Sequence, residues 1–188
     1  MATAGFEELL ITAQVDGTAV TAAAATTLLP PAALYTLPAN FFSAIGKQLR
    51  IEASGRISSV ITTPGTARFD VRLGGTVVFD GQAILLDTVA GHTTVGWKLD
   101  ILLTCRAIGT AANVFGIGTW TCEDILGVPA TAPKGVLTAI LPWNTTPAVG
   151  ANFNSTVSQQ VDLQFTQTVA TGTCTLHQYA LMSRNLPQ

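Results

Sequence analysis

Four stretches of this chain alternate between apolar and polar residues with a period of two: QLRIEASGRIS from Gln48, ARFDVRL from Ala67, WKLDILLTCRA from Trp97 and QQVDLQF from Gln159. Successive side chains of a β-strand point to opposite faces, whereas a helix needs apolar residues every three or four positions. The pattern therefore commits these stretches to strands with one face on a core. In the first, Leu49, Ile51, Ala53, Gly55 and Ile57 read as inward, and Arg50, Glu52, Ser54, Arg56 and Ser58 as outward. In the second, Phe69, Val71 and Leu73 face in while Arg68, Asp70 and Arg72 face out. In the third, Trp97, Leu99, Ile101, Leu103, Cys105 and Ala107 share one parity; Lys98, Asp100, Thr104 and Arg106 share the other. Leu102 breaks the code, and an apolar residue on the polar face marks where that face is expected to meet a neighbouring subunit.

Turn chemistry punctuates the pattern. Asp16-Gly17, Pro64-Gly65 and Asp80-Gly81 each close a segment, and Gly74-Gly75 between ARFDVRL and TVVFD is a two-residue hairpin signal. Further strands are expected in Leu9–Val15, in NVFGIGTWTCED, in VLTAILPWNTT after the loop LGVPATAPKG, and in TCTLHQYALMSR at the end. The glycines of NVFGIGTW suggest a bulge or a close approach of another group. Eight or more strands at this spacing make an all-β sandwich or barrel.

From Gly17 to Gly46 no residue is charged. Pro30, Pro31 and Pro38 interrupt the run, and a lipid-exposed segment cannot leave that many backbone groups unpaired, so a membrane span is not expected. Prolines favour extended backbone here, although an Ala-rich helix around Thr21–Leu28 is the competing reading. The expected organisation is an extended N-terminal arm over residues 1–33, ordered by lying on a neighbouring subunit, followed by a sandwich domain over residues 34–188.

Composition narrows the partners. Charged residues make up 11% of the 188, against about 25% in ordinary soluble domains, and mean hydropathy is +0.43. A surface this neutral is expected to be covered in an assembly, because net charge is what ordinarily keeps monomers apart. A formal charge of -2 and scattered cations argue against nucleic acid, which is bound through clustered Lys and Arg. MATAGFEELL carries acidic residues where a signal peptide has basic ones, so synthesis in the cytoplasm is expected. Three separated cysteines, Cys105, Cys122 and Cys174, fit neither a disulfide framework nor a metal knuckle and read as buried thiols.

Little in the sequence suggests chemistry. His92 and His177 lack a second ligand at metal-binding spacing, and neither a GxSxG elbow nor an SxxK motif occurs. Glu7-Glu8 and Glu123-Asp124 are adjacent pairs whose side chains diverge on a strand, which suits a solvated terminus and a turn rim better than an acid/base dyad. GIGTW lacks the Lys and the helix of a phosphate loop. Asn144-Thr145-Thr146 and Asn154-Ser155-Thr156 match the glycosylation tripeptide but follow no secretion signal. Trp97, Trp120, Trp143 and Tyr179 would form a glycan platform if exposed, and are otherwise core or interface anchors. No catalytic, cofactor-binding or metal residues are assigned.

The run LYTLPANFFSAIGKQLRIEASGRISS, then ARFDVRLGGTVVFD, WKLDILLTCRAIGT and TCTLHQYALM, resembles a family of tailed-bacteriophage virion proteins across residues 34–182. Ala53–Gly55, Leu73–Thr76, Trp97–Gly109 and Gln178-Tyr179 carry the resemblance, and their order is its stronger part. It implies an antiparallel β-sandwich, jelly-roll-like and trimeric, located in the virion and without catalytic residues or cofactors. The expected function is that of a capsid decoration, or cement, protein binding the major capsid protein across subunit boundaries. The alternatives are a tail-fibre or receptor-binding module contacting host glycan and, less favoured, an all-β hydrolase.

Overall fold

A computed structural model describes residues 5–126 and 136–185. Twelve strands follow in chain order: β1 (Phe6–Thr12), β2 (Thr26–Thr27), β3 (Tyr35–Leu37), β4 (Gln48–Ser59), β5 (Thr66–Leu73) and β6 (Thr76–Asp80). After them come β7 (Ile84–Leu85), β8 (His92–Ala107), β9 (Asn113–Leu126), β10 (Val136–Leu141), β11 (Gln159–Gln167) and β12 (Thr173–Asn185). A single 3₁₀ turn at Pro31–Ala33 is the only helical element among the described residues. The Ala-rich segment at Thr21–Leu28 forms no helix.

The strands form two antiparallel sheets, β1-β12-β4-β8-β9-β10 and β2-β11-β5-β6, with β3 also pairing β11 and β7 pairing β5. The pairings nest. β5 pairs β6, β4 pairs β8, β2 and β3 pair β11, and β1 pairs β12, as in one long hairpin rolled so that successive pairs alternate between sheets. That is the jelly-roll arrangement of a β-sandwich, with the β9–β10 hairpin added beyond β8. Gly74 and Gly75 adopt φ values of 55° and 88°, the conformation a two-residue hairpin turn demands, and so turn β5 into β6.

The core lies between the sheets and follows the alternation. Leu49, Ile51 and Ile57 meet Phe69, Val71, Leu73, Val161, Leu163 and Phe165 across the interior, all at most 1% exposed. Phe69 sits at its centre: its ring centroid is 4.9 Å from that of Trp120, 5.1 Å from Trp97 and 5.3 Å from Phe165. The glycines of β9 are explained by close approach, since a Cβ on Gly116 would stand 2.3 Å from Phe79 Cδ2 and one on Gly118 2.7 Å from the Asp100 carbonyl oxygen. All three cysteines are buried. The loop LGVPATAPKG falls mostly outside the described residues.

The segment read as an arm runs extended, but what it covers is its own sandwich. β1 extends the larger sheet, β2 extends the smaller one, and the chain between them follows β12 through Ala13 N–H to Tyr179 O, Gly17 N–H to Leu176 O and a bridge between Val20 and Cys174. Val20, Leu28, Leu29 and Ala33 are buried in the common core, and Leu34 packs against it, so no change in packing marks residue 33. The physical reason is edge coverage: without β2 and β3, the backbone N–H and C=O groups along one edge of β11 would be left unpaired.

Candidate functional site

The outer face of the larger sheet gathers the charges that the alternation directs outward. On β4 and β8 the register places Arg50 opposite Leu102, Glu52 opposite Asp100 and Ser54 opposite Lys98. Arg50 reaches diagonally to Asp100, with Nη2 2.6 Å from Oδ2 and Nε 3.2 Å from Oδ1, and the same Nη2 lies 2.7 Å from Glu52 Oε1. The hydrogen bond to Asp100 holds the Arg50 guanidinium above its ordinary pKa against the opposing effect of burial. A half-exposed network of this kind contributes little stability, about 0.2–1 kcal/mol per pair. Its main effect is to fix the orientation of these side chains.

Two depressions open on this face. One of about 380 Å³ lies over β1, β12, β4 and β8, where Thr12, Glu52, Ser54, Lys98 and Gln178 line it. The other, about 220 Å³, lies between Arg50, Glu52, Lys98, Asp100, Thr119 and Thr121. Toward the β10 edge the lining becomes apolar: Leu102 faces Ile117 across β8 and β9, and Ile140 stands on β10 opposite Thr119, around a hollow of about 290 Å³. Ile117 and Ile140 are 43% and 56% exposed. Leu102 thus belongs to an apolar surface spanning three strands. Sequence marked only its first member, because Ile117 and Ile140 lie in segments without clear charge alternation.

The smaller sheet treats its outward residues differently. Arg68, Asp70 and Arg72 do point away from the core, but Asp70 is not solvated: it is wholly buried beneath the two arginines. Arg72 Nε donates to Asp70 Oδ1 at 2.8 Å, and Arg68 bridges Asp70 at 3.6 Å and Asp80 at 3.4 Å. Long cationic side chains lying along a strand can cover a short carboxylate between them.

The histidines each meet a carboxylate. His92 Nε2 lies 2.9 Å from Asp87 Oδ2, and His177 Nδ1 lies 2.9 Å from Asp16 Oδ1. His177 is the extra residue of a bulge in β12, which turns it toward the N-terminal segment. Ser59 stands opposite His92 in register, but its buried Oγ makes no hydrogen bond, so Ser59, His92 and Asp87 are not linked as a relay. Among the described residues no group of three His, Cys, Asp or Glu is placed to hold a metal ion, and no helix is long and apolar enough to cross a membrane. Glu123 and Asp124 fall within β9 rather than on a turn rim. Of the aromatic residues considered for a glycan platform, Trp97, Trp120 and Tyr179 are buried and Trp143 packs against the core.

Asp87 organises the loop before β8. Besides His92 it accepts hydrogen bonds from Val89 N–H and Ala90 N–H. Burial by itself would raise the Asp87 pKa, but these hydrogen bonds outweigh it and hold the carboxyl below its ordinary value of 3.8. A depressed folded-state pKa gives stability that is present above the unfolded value and lost as pH falls through the folded one. Asp87→Ala is therefore expected to cost about 1–3 kcal/mol near neutrality. In urea melts at falling pH, the gap between variant and parent should narrow only below about pH 4.

No family model and no curated protein matches the chain. Among solved structures, the basic winged bean lectin with Tn-antigen aligns over 98% of this chain and 100% of its own, at 8% identity and a TM-score of 0.42. The CBM2 module of the evolved Dit of Lactobacillus casei BL23 phage J-1 aligns over 99% and 100%, at 6% identity and a TM-score of 0.36. Neither likeness is close enough to carry an argument about function.

Proposed function

We propose that this chain is a structural virion protein, a trimeric capsid decoration protein that binds the major capsid protein across subunit boundaries and stabilises the phage head. The observation that carries the reading is the character of the surface: large apolar side chains stand exposed while most charges among the described residues are paired within the chain. Phe6 and Leu9 at one edge of the larger sheet, and Ile117 and Ile140 near the other, are 43–61% exposed. Arg50, Arg68, Arg72 and Arg184, by contrast, each pair with a carboxylate. Such a surface suits burial against protein more than open solvent. The order of motifs that resembles phage virion proteins supports the same reading.

No chemistry is required for the effect. Each copy removes apolar area from water at a subunit boundary, worth about 25 cal/mol per Å² before the costs of association. Symmetry repeats that modest gain around the shell. Ile45 and Ile108 stand exposed on turns joined by the Gly46 N–H to Cys105 O hydrogen bond, and this end of the sandwich is the proposed seat on the shell.

Cryo-EM of particles tests the reading. The expected result is density at symmetry-related positions between capsid subunits, in a copy number set by the shell, and a fall in the heat resistance of particles lacking the protein. Density at the tail, in the few copies of a fibre, would overturn it in favour of a receptor-binding module.

A further inference from the structure

The larger depression on the outer face of the larger sheet is made by a small residue between longer ones. Across the strands Ala180 stands between Thr12 on β1 and Glu52 on β4, and its single methyl leaves the hollow of about 380 Å³ that they border. Two bulges aim side chains into it. On β12, Cys174 and Leu176 are buried before the bulge at His177, and Tyr179 and Leu181 are buried after it, so Gln178 is turned outward. The extra residue at Leu10 reverses the alternation of β1 in the same way, and Thr12 comes to stand beside Ala180. Bulges re-aim side chains next to working sites. Without these two, Thr12 and Gln178 would fall on the core side of their strands.

The groups around the hollow are balanced in charge and not used up in hydrogen bonding. Across it and the adjoining depression, Arg50 and Lys98 stand against Glu52 and Asp100, two cations against two carboxylates. Arg50 holds both carboxylates in place, yet their side chains remain nearly half exposed. Lys98 is exposed, lines both depressions and forms no ion pair among the described residues. Ser54 Oγ donates to Gln178 Oε1 at 3.2 Å, which leaves the amide N–H groups of Gln178 for a ligand. The lining thus offers fixed acceptors and free donors side by side, with no net charge.

That combination selects among ligands. A simple anion meets Glu52 and Asp100 as well as Lys98, and a simple cation meets Arg50 and Lys98 as well as the carboxylates, so neither gains from the site as a whole. A peptide cannot join as a strand, because β12, β4 and β8 already pair on both edges. A hydroxyl both donates and accepts, and a ring bearing several satisfies carboxylate, amide and ammonium together. We propose that the two depressions, joined through Glu52 and Lys98, bind a neutral oligosaccharide whose hydroxyls donate to Glu52 and Asp100 and accept from Lys98 and Gln178. Recognition is by hydrogen bonds and not by stacking, since Trp97, Trp120 and Tyr179 lie in the core. The site goes beyond the structural role proposed above. Ile45 and Ile108, at the proposed seat on the shell, lie outside the ends of β4 and β8 and leave this face open.

The full chain, clustered on streptavidin through a biotinylated tag so that weak sites act together, is applied to an array of immobilised neutral and acidic oligosaccharides. The expected result is retention by one or more neutral oligosaccharides, little changed by added salt. Lys98→Ala and Gln178→Ala should each weaken that retention about tenfold or more. Ala180→Leu, which fills the hollow without removing a polar group, should abolish it, and all three variants should melt as the parent does. Titration of the parent with the retained oligosaccharide, followed by amide NMR, should shift the signals of Ser54, Lys98 and Gln178, which locates the site without any variant. Retention by no neutral oligosaccharide would overturn the proposal, and so would retention confined to acidic ones and removed by salt, or shifts confined to another face. Because none of these readouts uses the virion, failure here leaves the structural role to be decided separately by the particle images.

Discussion

Removal of residues 1–33 is expected to unfold the domain. Val20, Leu28, Leu29 and Ala33 lie in the core, and β2 covers an edge of β11, so the deletion takes away interior rather than appendage. Burying a side chain of the size of Val or Leu contributes about 1.5–3 kcal/mol, so three of them amount to about 4.5–9 kcal/mol. A domain of ordinary stability has about 5–15 kcal/mol in total. Removing residues 1–12 alone should behave differently, because β1 is largely exposed and, among the described residues, pairs with one strand. Thermal melts followed by circular dichroism separate the cases: the shorter deletion should keep a cooperative transition at a lowered midpoint, and the longer one should lose it. A longer deletion that still melts cooperatively would mean that the segment is dispensable to the sandwich.

That prediction turns on the segment the sequence described least well, and the reason is physical. Strands such as β4, β5, β8 and β11 are legible because one face meets the core and the other meets water, which writes burial into the chain with a period of two. Residues 17–46 have no such contrast. They cross from one sheet to the other in short pieces, pairing for two or three residues at a time, and their apolar residues are buried by position rather than by alternation. A charge-free run rich in Ala, Thr and Pro therefore reads equally well as an arm on a neighbour or as a strap on its own core. The nesting of strand pairs was equally hidden, since alternation tells which residues face inward and not which strands are neighbours. Asp70 shows the same limit on a smaller scale: parity placed it on the outside of its sheet, and only the lengths of the two flanking arginines bury it. The apolar surface was half visible, because Leu102 violates a strong local pattern whereas Ile117 and Ile140 violate none.

Phe69→Ala is expected to produce the largest loss of stability of any single substitution considered, about 3–5 kcal/mol. Phe69 is 1% exposed, and its ring is edge-on to Trp120 and tilted against Trp97 and Phe165. These partners come from β8, β9 and β11, so the truncation leaves a cavity bordered by strands of both sheets and cannot be closed by one side chain moving. For a domain of this length each kcal/mol moves the melting midpoint by about 2–4 °C, which places the variant about 6–20 °C below the parent. Phe165→Ala opens the same space from the neighbouring strand. Since the two rings touch, their effects should not add, and a double-mutant cycle in urea should show a coupling of about 0.5–3 kcal/mol. Strict additivity would mean that the two sides of the cluster relax independently and that Phe69 does not tie the sheets together.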